Sequence, residues 1–392
     1  MRRLPFSPMR RMAVTCLALF SAMGSRAIPQ EKNPIPPTAS PPGASVAYGG
    51  LPAIRISENK QFFVRGNPEH RFEIRGANYD RDDQGRLLED YWEKEWSTVE
   101  SDFQEMSALG LNAVRIHLQT CQFMTGPDTF HAENLTRLGR LLDLGEREQL
   151  YVNLTGLGCY LKDRVPMWYS SLDENSRWTV QEKFWSAIAR VARGRNAVFC
   201  YDLMNEPLVS GGEDPQDWLP GKPLEGKHYV QRITTKAAGR TETAIAAEWV
   251  RRLCAAIRRE DPRTPITVGV IPWAQVFPGA KPLFYAPEVH GPLDFVSVHL
   301  YPRSGKLPED LAALEAYNIG KPLVIEEIFP LSASIPETVD FLRLASHGTD
   351  GWFTFYWGAT IPENARKGTT GGALVVEWLQ AVRKLTGKNQ TN

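Results

Sequence analysis

Cysteine is scarce, with five in 392 residues, and no two stand as C-x-x-C. That excludes a thioredoxin-like redox motif and a cysteine-built zinc site. No group of His and Asp stands at metal-ligand spacing, so no metal is expected. No glycine-rich phosphate fingerprint follows a strand: Gly156-Leu157-Gly158 comes nearest, but Leu161 occupies the place of the third glycine. A dinucleotide fold is thereby disfavoured and no cofactor is expected. An excess of one charge is also missing, since 45 Lys and Arg balance 45 Asp and Glu. The apolar stretch 12–24 is too short to cross a bilayer core of ~30 Å as a helix.

That stretch has another reading. Arg2, Arg3, Arg10 and Arg11 precede it and Ser25-Arg26-Ala27 follows, the order of a secretory signal. Residues 1–27 are expected to be a signal peptide and the mature protein to be secreted or periplasmic. Their removal takes away five Arg and no acid, leaving 40 basic against 45 acidic side chains. A mildly acidic, evenly mixed chain is expected to bind neither nucleic acid nor, after signal cleavage, a membrane, and to act as a monomer. Residues 28–47, with Pro34-Ile35-Pro36-Pro37, read as a Pro-rich linker. Residues 48–386 then form one catalytic domain and 387–392 a tail. Export leaves Cys121, Cys159, Cys200 and Cys254. Cys121 and Cys159 each follow the end of adjacent strands, which permits either a disulfide or two buried thiols; Cys200 and Cys254 read as small buried residues.

After a hairpin at 54–56 and 62–64, a regular alternation begins. Strands are expected at 71–78, 112–117, 150–155, 198–203, 266–271, 295–300, 323–326 and 352–356. Helices are expected at 92–109, ended by Gly110, and at 132–149, 180–192 and 241–259. The link from strand five to strand six, 272–294, contains no convincing helix. Eight strands with mostly helical crossovers predict an α/β fold, a (β/α)8 TIM barrel with a short N-terminal β-hairpin.

Barrels build their sites at the C-terminal ends of the strands. Those ends carry Asn78 and Tyr79, Arg115 and His117, Asn205 and Glu206, His299 and Tyr301, Glu327, and Trp357. Strands four and seven end abruptly in carboxylates, in Tyr201-Asp202-Leu203-Met204-Asn205-Glu206-Pro207 and Val324-Ile325-Glu326-Glu327. Charge at a buried strand end is costly without a purpose. One carboxylate on each wall of a cleft is what glycosidic bond cleavage requires, and aromatic faces suit pyranose rings. Strand alternation puts Glu326 opposite Glu327, as a structural residue. His117 shares the side of Arg115 and is either a core histidine or part of the site. The long polar stretch 208–240 after strand four is expected to form one rim, with Trp218 as its sugar contact; Trp168 and Trp273 also lie on loops at this end.

Asn205-Glu206-Pro207 after strand four, with a Glu ending strand seven, resembles clan A retaining glycoside hydrolases. Glycoside hydrolase family five, the cellulase and mannanase family, is the nearest match, over 54–382. The resemblance implies Glu206 as acid/base and Glu327 as nucleophile, although Ile328-Phe329 replaces the usual aromatic residue and Gly. It further implies Arg115 on strand two, His299 and Tyr301 as the His-x-Tyr after strand six, and Trp357 on strand eight. Cellulase-like members carry a His near the end of strand three, where this chain has Asn153-Leu154-Thr155; His299-Leu300-Tyr301-Pro302 and Glu326-Glu327 are closer to mannanase-like members. The expected activity is hydrolysis of a β-mannan or β-glucan poly- or oligosaccharide with retention. In it, Arg115 and Tyr301 would hold Glu327, and Asn205 would bond the sugar 2-hydroxyl. The alternative is a non-catalytic barrel that binds polysaccharide.

Overall fold

The computed structural model describes residues 50–210 and 218–387. The expected signal peptide (1–27) and linker (28–47), the residues after 387, and residues 211–217 of the 208–240 stretch lie outside the described residues.

The barrel strands are β1 (Ile74–Asn78), β2 (Ala113–Gln119), β3 (Tyr151–Gly158), β4 (Val198–Asp202), β5 (in two segments, Ile266–Thr267 and Gly269–Val270), β6 (Val296–His299), β7 (Leu323–Glu327) and β8 (Gly351–Phe355). The first segment of β5 pairs with β4 and the second with β6, and every other neighbour follows in order, all parallel. The ring therefore closes through β5. Full burial of β2, β3 and β4 along their whole length matches strands covered on both faces. The helices are α1 (Trp96–Ala108), α2 (Ala132–Arg147), α3 (Glu174–Ala192), α4 (Glu242–Glu260), α5 (Leu307–Glu315), α6 (Ile335–Ala345) and α7 (Thr370–Leu385). As expected, the link from β5 to β6 holds only the short turns Trp273–Val276 and Leu283–Tyr285. Among the described residues no helix is long and apolar enough to cross a membrane.

Helix α3 starts six residues earlier than its apolar pattern indicates, because Asp173 caps it by accepting a hydrogen bond from the Ser176 amide at 2.8 Å. The N-terminal hairpin gains a third strand, giving Ile54–Ile56, Phe63–Arg65 and His70–Phe72. Glu73 separates that last strand from β1, so the expected strand at 71–78 is two. This small sheet plugs the barrel floor: Phe63 meets Phe199 and Phe295 edge-on at 5.2 and 5.1 Å, and Phe72 meets Tyr151 at 5.1 Å. With the floor sealed by aromatic packing, the C-terminal mouth is the open end of the barrel among the described residues.

Candidate active site

Arg115, midway along β2, projects into the barrel and is fully buried. Its five N–H groups are all used. Nε donates to Thr155 Oγ1 at 2.8 Å, Nη1 to Asn78 Oδ1 at 2.9 Å and Glu327 Oε1 at 2.7 Å, and Nη2 to Asp202 Oδ2 and Asn205 Oδ1, both at 2.9 Å. One rigid guanidinium fork thus fixes residues from β1, β3, β4 and β7. Asn78 also donates to the carbonyls of Glu326 and Thr354.

The two ring walls deliver the carboxylates differently. After β4 the chain runs on beside β5, with Leu203 N donating to Thr267 O and Glu206 N to Gly269 O, both at 2.9 Å. Glu206 then takes φ 46°, the left-handed region. For a non-glycine residue this costs about 1–3 kcal/mol and is held only by surrounding structure. On the other wall the register slips between β6 and β7: Val298 faces Ile325 but His299 faces Glu327. The slip is a bulge, and it aims two consecutive acids at the axis. Glu326 therefore does not point away as strand alternation predicts. It lies fully buried, with Oε1 3.7 Å from Arg115 Nε and accepting from Asn153 Nδ2 at 2.5 Å. Its role is structural, but beneath the site rather than behind it.

Glu206 and Glu327 keep 11% and 12% of their side chains open to the mouth, whereas their supports are sealed. A carboxylate oxygen of each, and a ring nitrogen of His299, lie within 4.8 Å of one another. Glu327 Oε2 accepts from the Tyr301 hydroxyl at 2.6 Å. His299 Nδ1 sits 3.0 Å from Glu206 Oε1, and Nε2 3.6 Å from Glu326 Oε2. Burial opposes charge on His299, but Glu327, Glu206 and Glu326 outweigh it and push its pKa up to about 10. Burial together with Glu326 pushes Asp202 up to about 6, against Arg115; Arg115 and His299 hold Glu326 below its ordinary range despite burial. His117 is driven well below its ordinary value by burial, then by Arg115 and His299. It is buried and bonds the Tyr160 hydroxyl at 2.5 Å, which makes it a neutral residue of the wall.

Several expected sugar contacts are thereby reassigned. Asn78, Arg115 and His299 have no exposed surface and position the carboxylates from below. Asn205 lies at the boundary, 2% exposed, accepting from Arg115 and donating to the Tyr229 carbonyl at 3.0 Å. Trp218 is 4% exposed, edge-on to Tyr169 at 5.6 Å and beneath the Arg177 guanidinium at 4.5 Å. It packs the loop and offers no face to a sugar. Trp357 is half-buried at the mouth, against Phe355 and Phe329, with Arg81 over its ring at 5.3 Å. Cys121 and Cys159 are free thiols lining one small cavity, not a disulfide; burial pushes Cys121 up to about 11 and Cys159 higher. The residues missed from sequence are Asp202 and Asn153 in the charged layer, and Asp80, Arg81 and Tyr229 at the rim; Glu326 is expected as a structural residue but on the wrong side of its strand.

The family model described as Cellulase (glycosyl hydrolase family 5) matches residues 66–325. That span holds Arg115, Asn205, Glu206, His299 and Tyr301 and stops just before the two acids of β7. No curated protein sequence matches. Among solved structures, the exo-beta-1,4-mannosidase from Opitutaceae bacterium strain TAV5 superposes with TM-score 0.60 at 19% identity, covering 85% of this chain. The chain spans 62% of that protein's length. A beta-1,4-mannanase from the sea hare Aplysia kurodai gives 0.56 at 15% identity, over 86% of this chain and 97% of its own. The catalytic domain of an endoglucanase from Thermobifida fusca gives 0.54 at 16%, over 87% and 98%.

Proposed function

The chain belongs to glycosyl hydrolase family 5, an O-glycosyl hydrolase family, and on that premise we propose that it is an exported, monomeric enzyme that cleaves a β-glycan, β-mannan before β-glucan, with retention of configuration. The observation that carries this reading is that one oxygen of Glu206 and one of Glu327 lie within 4.8 Å of each other, with no room for a water between those two atoms and a sugar carbon. Retaining enzymes hold their carboxyl groups about 5–5.5 Å apart, whereas inverting ones need about 6.5–9.5 Å to admit a water.

The roles follow from the contacts. Glu327 receives two donated hydrogen bonds, from Arg115 and Tyr301, which suits an anionic nucleophile attacking the anomeric carbon. Burial and the charge of Glu327 push Tyr301 well above the ordinary phenol value, so it stays a donor. Glu206, on the opposite wall, gives its proton to the leaving oxygen and then takes one from the water that releases the glycosyl-enzyme. The Asn205 amide stands beside Glu206 to meet the sugar 2-hydroxyl. Preference for mannan rests on strand three: Asn153 and Thr155 are committed inside the barrel to Glu326 and Arg115, where cellulase-like members present a His.

A panel of β-mannan, cellulose, xyloglucan and aryl β-glycosides tests the reading by release of reducing sugar or aglycone. Turnover that disappears in Glu206→Ala on β-mannan supports it. Binding of polysaccharide without turnover of any member would establish the non-catalytic alternative instead.

A further inference from the structure

The loop after β1 and the stretch after β4 meet above the catalytic carboxylates. In that stretch Leu224 and Lys227 exchange both backbone hydrogen bonds at 2.9 Å, and the two residues between them, Glu225 and Gly226, have φ 49° and 79°. Two consecutive positive φ values across a two-residue link make a tight mirror-image turn, a stiff tip rather than a loose loop. At that tip Glu225 Oε2 lies 2.9 Å from Arg81 Nη2, with the two side chains only 31% and 13% exposed. Arg81 also hydrogen-bonds the Tyr229 side chain and lies over the Trp357 ring. One guanidinium therefore joins the ends of β1 and β8 to the stretch leaving β4. Because β2 and β3 separate β1 from β4 in the ring, this contact has to pass over their ends. His228 N bonds the Tyr160 carbonyl at 2.8 Å, and the Tyr160 and Tyr229 rings lie 4.8 Å apart, closing the space beneath.

We propose that this wall of Arg81, Glu225 and Tyr229 closes the cleft on the nucleophile's side, so that the enzyme removes sugar from the non-reducing end of its glycan, with Asp80 recognising the hydroxyls of the terminal ring. The proposal rests on the retaining glycosidase reading above.

The side of the cleft is set by the end of β1: Asn78, two residues before Asp80, shares Arg115 Nη1 with Glu327 at 2.9 and 2.7 Å, and Asp80 lies within the field of Glu327. The ring attacked by Glu327 sits on that side, while the leaving chain departs past Glu206. On the departure side the half-buried rings of Trp273 and Phe277 stack at 6.1 Å after β5, and no comparable bridge is seen there among the described residues. Behind the wall, Asp80 is 5% exposed and its Oδ1 has no protein partner. A buried carboxylate oxygen left without a donor is costly. Hydroxyls of a terminal pyranose supply such donors, and Lys227, 4% exposed, adds a cation nearby.

Manno-oligosaccharides carrying a fluorescent tag on the reducing end test this. The expected result is stepwise shortening from the untagged end, every shortened chain keeping its tag and the released sugar carrying none, with little loss of viscosity when the polymer is digested. The double variant Arg81→Ala/Glu225→Ala should raise internal relative to terminal cleavage by about tenfold. The milder Glu225→Gln should move the ratio in the same direction. Asp80→Ala should lower kcat/KM for terminal release by about tenfold or more, the loss of hydrogen bonds to a charged group. Cleavage inside the tagged chain by the unmodified enzyme, with rapid viscosity loss, would overturn the proposal while leaving the catalytic reading intact. No cleavage of any tagged chain or aryl glycoside would overturn both.

Discussion

Arg115 and Glu327 meet at 2.7 Å although they lie on β2 and β7, which β1 and β8 separate in the ring. The guanidinium is sealed and the carboxylate is not, so the pair transmits the order of the barrel interior to an acid that faces the mouth. Arg115→Lys keeps the charge but offers three donors in place of five. Its kcat should fall by about a hundredfold or more while the protein still folds. Arg115→Met leaves Asp202, Glu326 and Glu327 uncompensated and should cost about 3–5 kcal/mol in denaturant unfolding. Equal kcat in Arg115→Lys would remove Arg115 from the positioning of Glu327.

The charged layer also sets how stability depends on pH. His299 has a folded pKa of about 10 against about 6.5 unfolded. A raised base contributes stability that is complete below about pH 6.5 and lost as pH rises towards 10. Asp202, raised to about 6, adds to the same trend lower down, since its folded form favours the proton between about pH 4 and 6. Melting temperature measured by calorimetry should therefore decline from about pH 6.5 to 10. In His299→Asn that decline should be much shallower, and an unchanged slope would show that His299 is not charged in the folded protein.

Gly269 makes room for this layer. A Cβ there would sit 2.4 Å from Glu326 Oε2 and 2.6 Å from His299 Nε2. Gly269→Ala should destabilise by about 1–3 kcal/mol and reduce kcat sharply, because the displaced groups support Glu206 and Glu327. Gly291→Ala, with nothing within 4 Å and an ordinary φ, should leave both quantities close to those of the unmodified protein.

Trp218→Ala separates packing from recognition. Since the ring is buried against Tyr169 and Arg177, the loss should appear in unfolding free energy, at about 3 kcal/mol, and only weakly in KM. A large rise in KM at unchanged stability would restore it as a sugar contact.

How much of this was legible in the sequence depends on period and on charge. The eight strands and the helices α1 to α4 show themselves through apolar runs and leucine stripes, and the two carboxylates through strands that end in acid, whereas α5, α6 and α7 are not among the expected helices. The bulge that turns Glu326 inward leaves no trace in composition, because one slipped residue reverses a side chain without changing any residue type. Trp218 looked like a sugar platform since a Trp in a polar loop reads alike whether it stacks on substrate or packs on Arg177. Arg81 and Glu225 are 144 positions apart, and only ring closure brings their loops together. Asp202, by contrast, stood in plain view four residues before Glu206, and its inward parity with Cys200 on a buried strand was a usable sign.

The stereochemistry of the first product tests the central claim most directly. Proton NMR of the anomeric signal, recorded within the first turnovers on an aryl β-mannoside, should show the β-anomer before mutarotation. Glu327→Ala should be inactive, azide should restore cleavage as the α-azido sugar, and Glu206→Ala should retain activity on activated aryl glycosides. Appearance of the α-anomer first from the unmodified enzyme, or full activity in Glu327→Ala, would contradict the account.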